Sequence, residues 1–111
     1  MKKSPIKNKK SEQEIQKEIL DYLKLNHVLC FKHRNVGIFK QKTNQYIPLS
    51  DGEKGIADII GCTREGRFIA IEVKIPGGVV SPYQLEFMEK VKKNEGIGII
   101  AYSLQDVMEI I

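Results

Sequence analysis

From Ser11 the chain repeats apolar residues at helical spacing. In SEQEIQKEILDYLKL they are Ile15, Ile19, Tyr22 and Leu23, and Ser11 is a natural N-cap, so one amphipathic helix is predicted as far as about Leu25. At roughly 100° per residue from Ile15, Ile19 lies at about 40°, Leu23 at about 80° and Tyr22 at about −20°. Glu12 then falls at about 60°, inside the apolar stripe, whereas Glu14 at about −100° and Glu18 at about −60° lie at or beyond its margin. Glu12 has two readings: a first-turn acid favoured by the helix dipole, or an inward acid that needs a partner.

The pattern then shortens to the alternation of strands. VLCFKHR predicts a strand from Val28 to about Arg34, and Ile38–Phe39 with Gln45–Leu49 predict a hairpin around Thr43 and Asn44. IADIIGCT and FIAIEVKI are strong strand signals either side of REG. After the break at Gly77 and Gly78, SPYQLEFMEKVKKNEG predicts a second helix. Ser81 is its N-cap, Pro82 its first residue, Leu85, Met88 and Val91 its buried face, and Gly96 its stop. IGIIAYS predicts a buried strand, and Ser103 an N-cap for a short last helix. The strand, helix, strand order from Phe68 to Tyr102 implies a parallel pair with a crossover helix, hence an α/β domain.

In the Phe68 strand, Phe68, Ala70, Glu72 and Lys74 share one face and Ile69, Ile71, Val73 and Ile75 the other. A three-residue hairpin loop places its third residue in the left-handed region, which suits Gly66 in Arg64-Glu65-Gly66. Thr63 then lies opposite Arg67, Ile60 opposite Ala70, and Asp58 opposite Glu72, whereas a two-residue loop would turn Asp58 to the wrong face.

Composition adds bounds. A chain of 111 residues is long enough for one domain with a real core, and it has neither an 18-residue apolar run nor the apolar stretch of a signal peptide, so a cytoplasmic protein is expected. Cys30 and Cys62 are expected as buried free thiols rather than a disulfide. The net charge of +4 is misleading as a hint of nucleic acid. Five of the 18 basic residues (Lys2, Lys3, Lys7, Lys9 and Lys10) stand in the first ten positions without an acid, leaving 13 against 14 acidic ones. Residues 1–10 are thus read as a basic, disordered tail, either a sequence-independent phosphate attractant or a solubilising terminus, and 11–111 as a single domain.

Two carboxylates side by side in a sheet are in conflict, since like charges about 5 Å apart cost roughly 3 kcal/mol at an effective dielectric near 20. One must hold a proton, or a cation must bridge them. Oxygen ligands from Asp58, Glu72 and the Val73 carbonyl suit Mg²⁺ or Mn²⁺, and Lys74 is then placed to orient an attacking water and to stabilise charge growing on a phosphate. The plainer reading of Glu72 and Lys74 is a salt bridge on a solvated face. In KHRN, Arg34 is read as a phosphate contact in preference to His33 as a metal ligand, because hard oxygen donors already serve the cation.

GIAD, 13 intervening residues and EVK together resemble the motif of the PD-(D/E)xK nuclease superfamily. With SEQEIQKEILDYL before and SPYQ after, residues 11–103 are similar to the VRR-NUC family in its compact single-domain form, although Ala57 stands where the superfamily's name has proline. The resemblance implies a restriction-endonuclease-like mixed sheet flanked by helices. It implies Asp58 and Glu72 as metal-binding acids, Lys74 as the catalytic lysine, Glu12 as an acid completing the metal site through water, and Gln84 as a positioning residue. Gln84 also reads as the end of a Ser81-x-x-Gln84 capping box. The implied activity is a metal-dependent endodeoxyribonuclease acting on branched DNA such as Holliday junctions or flaps. A symmetric homodimer in a bacterial cell or phage-infected host is implied with it, the hairpin or the last helix being candidate contact surfaces. The alternatives are a non-catalytic nucleic-acid-binding module and a structural or partner-binding domain.

Overall fold

Ser11 caps the first helix as its sequence predicts: its Oγ accepts the Glu14 N–H at 3.1 Å while the Glu14 carboxylate accepts the Ser11 N–H at 2.8 Å. In the computed structural model, which describes residues 9–34, 38–48 and 54–111, this helix is α1 (Glu12–Leu25). It is followed by β1 (Leu29–Lys32), β2 (Ile38–Lys40), β3 (Gln45–Ile47), β4 (Ile59–Cys62), β5 (Phe68–Val73), α2 (Pro82–Lys93), β6 (Ile97–Ala101) and α3 (Leu104–Met108). Among the described residues no helix is long and apolar enough to cross a membrane.

Four strands form one mixed sheet in the order β1-β4-β5-β6; β1, β4 and β5 run antiparallel in turn, and β5 pairs with β6 in parallel across the α2 crossover. Among the described residues the hairpin β2-β3 pairs only with itself, Ile38 opposite Ile47. Its turn residue Asn44 takes a left-handed φ of 56°. Leu49, expected at the end of this hairpin, lies outside the described residues.

The two sheet faces are covered unequally. Ile69, Ile71 and Val73 of β5 join Ile15, Ile19 and Leu23 of α1 and Val107 of α3 in the larger core. On the opposite face Ala57 and Ala70 pack against Met88 and Val91 of α2. This is the α/β, restriction-endonuclease-like arrangement that the motif implies. Cys30 and Cys62 are both free thiols, but only Cys30 is buried; Cys62, last in β4, is half-buried.

Several expectations about boundaries are corrected. β1 stops at Lys32 rather than Arg34. Of the three residues expected on the buried face of α2, Met88 and Val91 are buried, but Leu85 is 52% exposed, the sheet-facing stripe being completed by Gln84 and Phe87. Ser103 makes no side-chain cap; the Asp106 carboxylate instead accepts the Tyr102 N–H at 2.8 Å. Gly96 is not the stop of α2. It is small because a Cβ there would lie 2.8 Å from Val91 Cγ1 and 3.0 Å from the Phe68 carbonyl oxygen.

Both long helices stop by the same device. After Asn26 and Asn94, His27 and Glu95 adopt φ of 61° and 64°. The Val28 N–H then reaches the Leu23 carbonyl and the Gly96 N–H the Val91 carbonyl, both at 2.9 Å, a Schellman closure at a position that glycine occupies more cheaply. The double variant His27→Gly/Glu95→Gly is therefore expected to be more stable by about 1 kcal/mol, raising the melting temperature by a few degrees. A thermal melt showing no rise or a fall counts against this account of the helix ends.

Candidate active site

The three-residue loop between β4 and β5 closes as predicted. The Gly66 N–H donates to the Thr63 carbonyl and the Thr63 N–H to the Arg67 carbonyl, each at 2.9 Å, with Gly66 at φ 91°. The pairs that follow are Cys62 with Phe68, Gly61 with Ile69, Ile60 with Ala70 and Ile59 with Ile71. One row further Asp58 faces Glu72. There the ladder is replaced by a side chain: Asp58 Oδ2 accepts the Val73 N–H at 3.0 Å. The N–H and C=O of a strand residue point to the same edge, so the Val73 carbonyl is directed to the Asp58 side as well.

Glu72 is buried, 3% exposed, and each of its oxygens has a different fate. Oε2 accepts a hydrogen bond from Gln84 Nε2 at 2.7 Å and lies 3.7 Å from Lys74 Nζ. Oε1 is buried and has no partner among the described residues. Burial first, and the nearby Asp58 charge second, push the Glu72 carboxyl up to about 7 against the opposing pull of Lys74.

Gln84 completes the expected capping box and also reaches Glu72. Its Oε1 accepts the Ser81 N–H at 2.8 Å and Ser81 Oγ accepts the Gln84 N–H at 3.2 Å, which completes the capping box; the remaining amide nitrogen is spent on Glu72. The start of α2 is thereby tied to the acid of β5. Between them Ile75-Pro76-Gly77-Gly78 makes a type II turn, with the Gly78 N–H on the Ile75 carbonyl at 2.9 Å and Gly77 at φ 89°. Its return brings Gly78 against the aliphatic stem of Lys74, which is half-buried, and the Lys74 N–H is held by the Ala101 carbonyl at 2.9 Å.

Asp58, Glu72, Lys74, Gln84 and the Val73 backbone are thus brought together, and other sequence candidates are not. Glu12 is half-buried on α1, whose apolar side covers the face opposite Glu72; no hydrogen bond or ion pair among the described residues joins it to either acid. Nor do three or more His, Cys, Asp or Glu side chains converge among those residues. Arg34 is exposed, Lys9 is exposed, and Lys10 is engaged by Glu18 at 2.5 Å. Lys2, Lys3 and Lys7 lie outside the described residues. His33, set aside in the sequence, stands beside Asp58: its N–H donates to the Asp58 carbonyl at 2.6 Å. Finding it requires the β1-β4 register, which no loop signal fixes.

The donor set fits a divalent cation on two counts. All its donors are hard oxygens, and Glu72 Oε1 is a desolvated acceptor that no group among the described residues satisfies. The family model of the VRR-NUC domain matches residues 6–105 of the 111. No curated protein matches the chain.

Glu72 ionises at about 7 in the folded chain, against its ordinary value of 4.5. Below pH 4.5 the group is protonated in both states; as pH rises through about 7 the unfolded chain loses its proton first, so stability falls, by about 3 kcal/mol at most. In chelator, Glu72→Gln is expected to melt several degrees above wild type at pH 8, with the gap narrowing towards pH 5. Equal melting at pH 8 would show that Glu72 carries no such strain.

Proposed function

We propose that this chain, which belongs to the VRR-NUC family, is a metal-dependent endodeoxyribonuclease that hydrolyses a phosphodiester by attack of water. The supporting observation is Glu72, buried beside Asp58 with one oxygen unsatisfied and Lys74 adjacent. An acid so placed destabilises the chain unless a cation shares its charge.

Asp58, Glu72 through Oε1 and the Val73 carbonyl would hold Mg²⁺ or Mn²⁺. Bound there, the ion supplies Lewis acidity to the scissile phosphate and lowers the pKa of the attacking water. Gln84 keeps Glu72 Oε2 occupied and so turns Oε1 to the ion. The Lys74 ammonium orients the water and stabilises the charge that grows on the phosphate oxygens. Glu12 lies outside the set of direct contacts, which leaves it only a role through water.

Branched DNA, such as four-way junctions or flaps, is the substrate we favour. A homodimer would present two such sites to two strands, and both readings come from the family resemblance. Arg34, exposed just beyond β1, and the basic residues Lys2, Lys3, Lys7, Lys9 and Lys10 would add attraction to phosphate without sequence preference. The setting would be the cytoplasm of a bacterium or of a phage-infected cell. A non-catalytic DNA-binding module is the weaker reading, since neighbouring buried acids repel phosphate and destabilise the fold.

Linear, flapped and four-way DNA incubated with Mn²⁺, Mg²⁺ or chelator tests the proposal. Cutting should require the metal, fall at least ~100-fold in Lys74→Ala and ~10-fold in Gln84→Ala, with both variants folded by circular dichroism. Binding without cutting of every substrate by the folded wild type would move the chain to the non-catalytic reading.

A further inference from the structure

The row that contains the two acids extends one strand further. Lys32 pairs with Ile59, and the His33 N–H reaches the Asp58 carbonyl, so His33, Asp58 and Glu72 lie side by side across β1, β4 and β5. The preceding rows fix their common face: Phe31, Ile60 and Ala70 stand opposite one another, and Ala70 belongs to the core beneath α2. His33 is half-buried, yet its Nδ1 is fully buried and without a hydrogen-bond partner. Among the described residues three buried side-chain polar atoms lack partners, and two of them, His33 Nδ1 and Glu72 Oε1, belong to this row. The third, Gln16 Oε1, is on α1. Buried polar atoms left over in pairs flanking one carboxylate call for a polar occupant that serves both.

We propose that His33 is a positioning residue of the cation site, its Nδ1 hydrogen-bonding a water that the cation carries rather than touching the ion. A direct bond is disfavoured because no three His, Asp or Glu side chains converge among the described residues, which leaves His33 a contact through a water. The inference rests on the metal-dependent reading above. It adds a residue from a third strand to the site, and it explains why β1 continues past its last ladder pair to hold the Asp58 carbonyl.

Mn²⁺ binding, read by electron paramagnetic resonance of the free ion and by the Mn²⁺-induced rise in melting temperature, tests it without reference to cleavage. His33→Phe is expected to weaken Mn²⁺ about 10-fold relative to wild type. His33→Asn, which restores a polar atom near the Nδ1 position, should recover most of the affinity. His33→Gln, whose amide reaches only the Nε2 position, should not recover it, and it serves if the Phe variant fails to fold. Lys93→Ala, exposed at the far end of α2, is the unaffected control. Wild-type affinity in folded His33→Phe or His33→Gln, with Asp58→Asn weakened, overturns the role of His33 alone. A wild-type chain that takes up no Mn²⁺ overturns the metal reading with it.

Discussion

Asp58 and Glu72 are forced into one row by a loop three residues long. The type I turn with Gly66 in the left-handed region sets how β4 and β5 pair, and since side chains alternate along a strand, the same register decides which face each acid occupies. Once both are on the α2 face and one is out of water, their repulsion has to be managed locally. The Val73 N–H takes one oxygen of Asp58, and Gln84 with Lys74 takes one of Glu72. Each acid is thus held through one oxygen, and among the described residues Glu72 Oε1 has no partner.

The two sides of the sheet divide the work of stability and chemistry. Ile69, Ile71 and Val73 build the larger core with α1 and α3. The other face is paved with small residues: Ala70 pairs with Gly98, and a Cβ on Gly98 would sit 3.0 Å from Met88 Sδ. Small residues let α2 approach closely, which brings its first turn within hydrogen-bond reach of Glu72. A larger pavement would lift the helix and separate Gln84 from the acid. Packing on one face thus sets the geometry of a polar contact at its end.

Stability is given up where the acids meet. A carboxyl pushed to about 7 favours the unfolded chain at neutral pH, and the free energy is recovered only when a cation or proton shares the site. The same condition underlies the proposal that a hard, positively charged ligand shares the site. Lys74 cannot relieve it alone, because its ammonium meets only the oxygen already shared with Gln84.

Features decided by near neighbours in the chain were legible in its residues. The cap at Ser11, the Ser81–Gln84 capping box, the hairpin with Gly66 and the facing of Asp58 and Glu72 all depend on separations short enough for one turn of helix or one tight loop to dictate. Features that depend on distant partners were not. The rotation that exposes Leu85 follows from what lies beneath α2, and the face that α1 covers removes Glu12 from direct contact with the acids. The place of His33 beside Asp58 joins strands whose connection carries no register signal. Local sterics and hydrogen bonding act on adjacent residues whatever the rest of the chain does, whereas the choice among sheet neighbours and helix faces is a competition between packings that exists only once the chain has closed on itself.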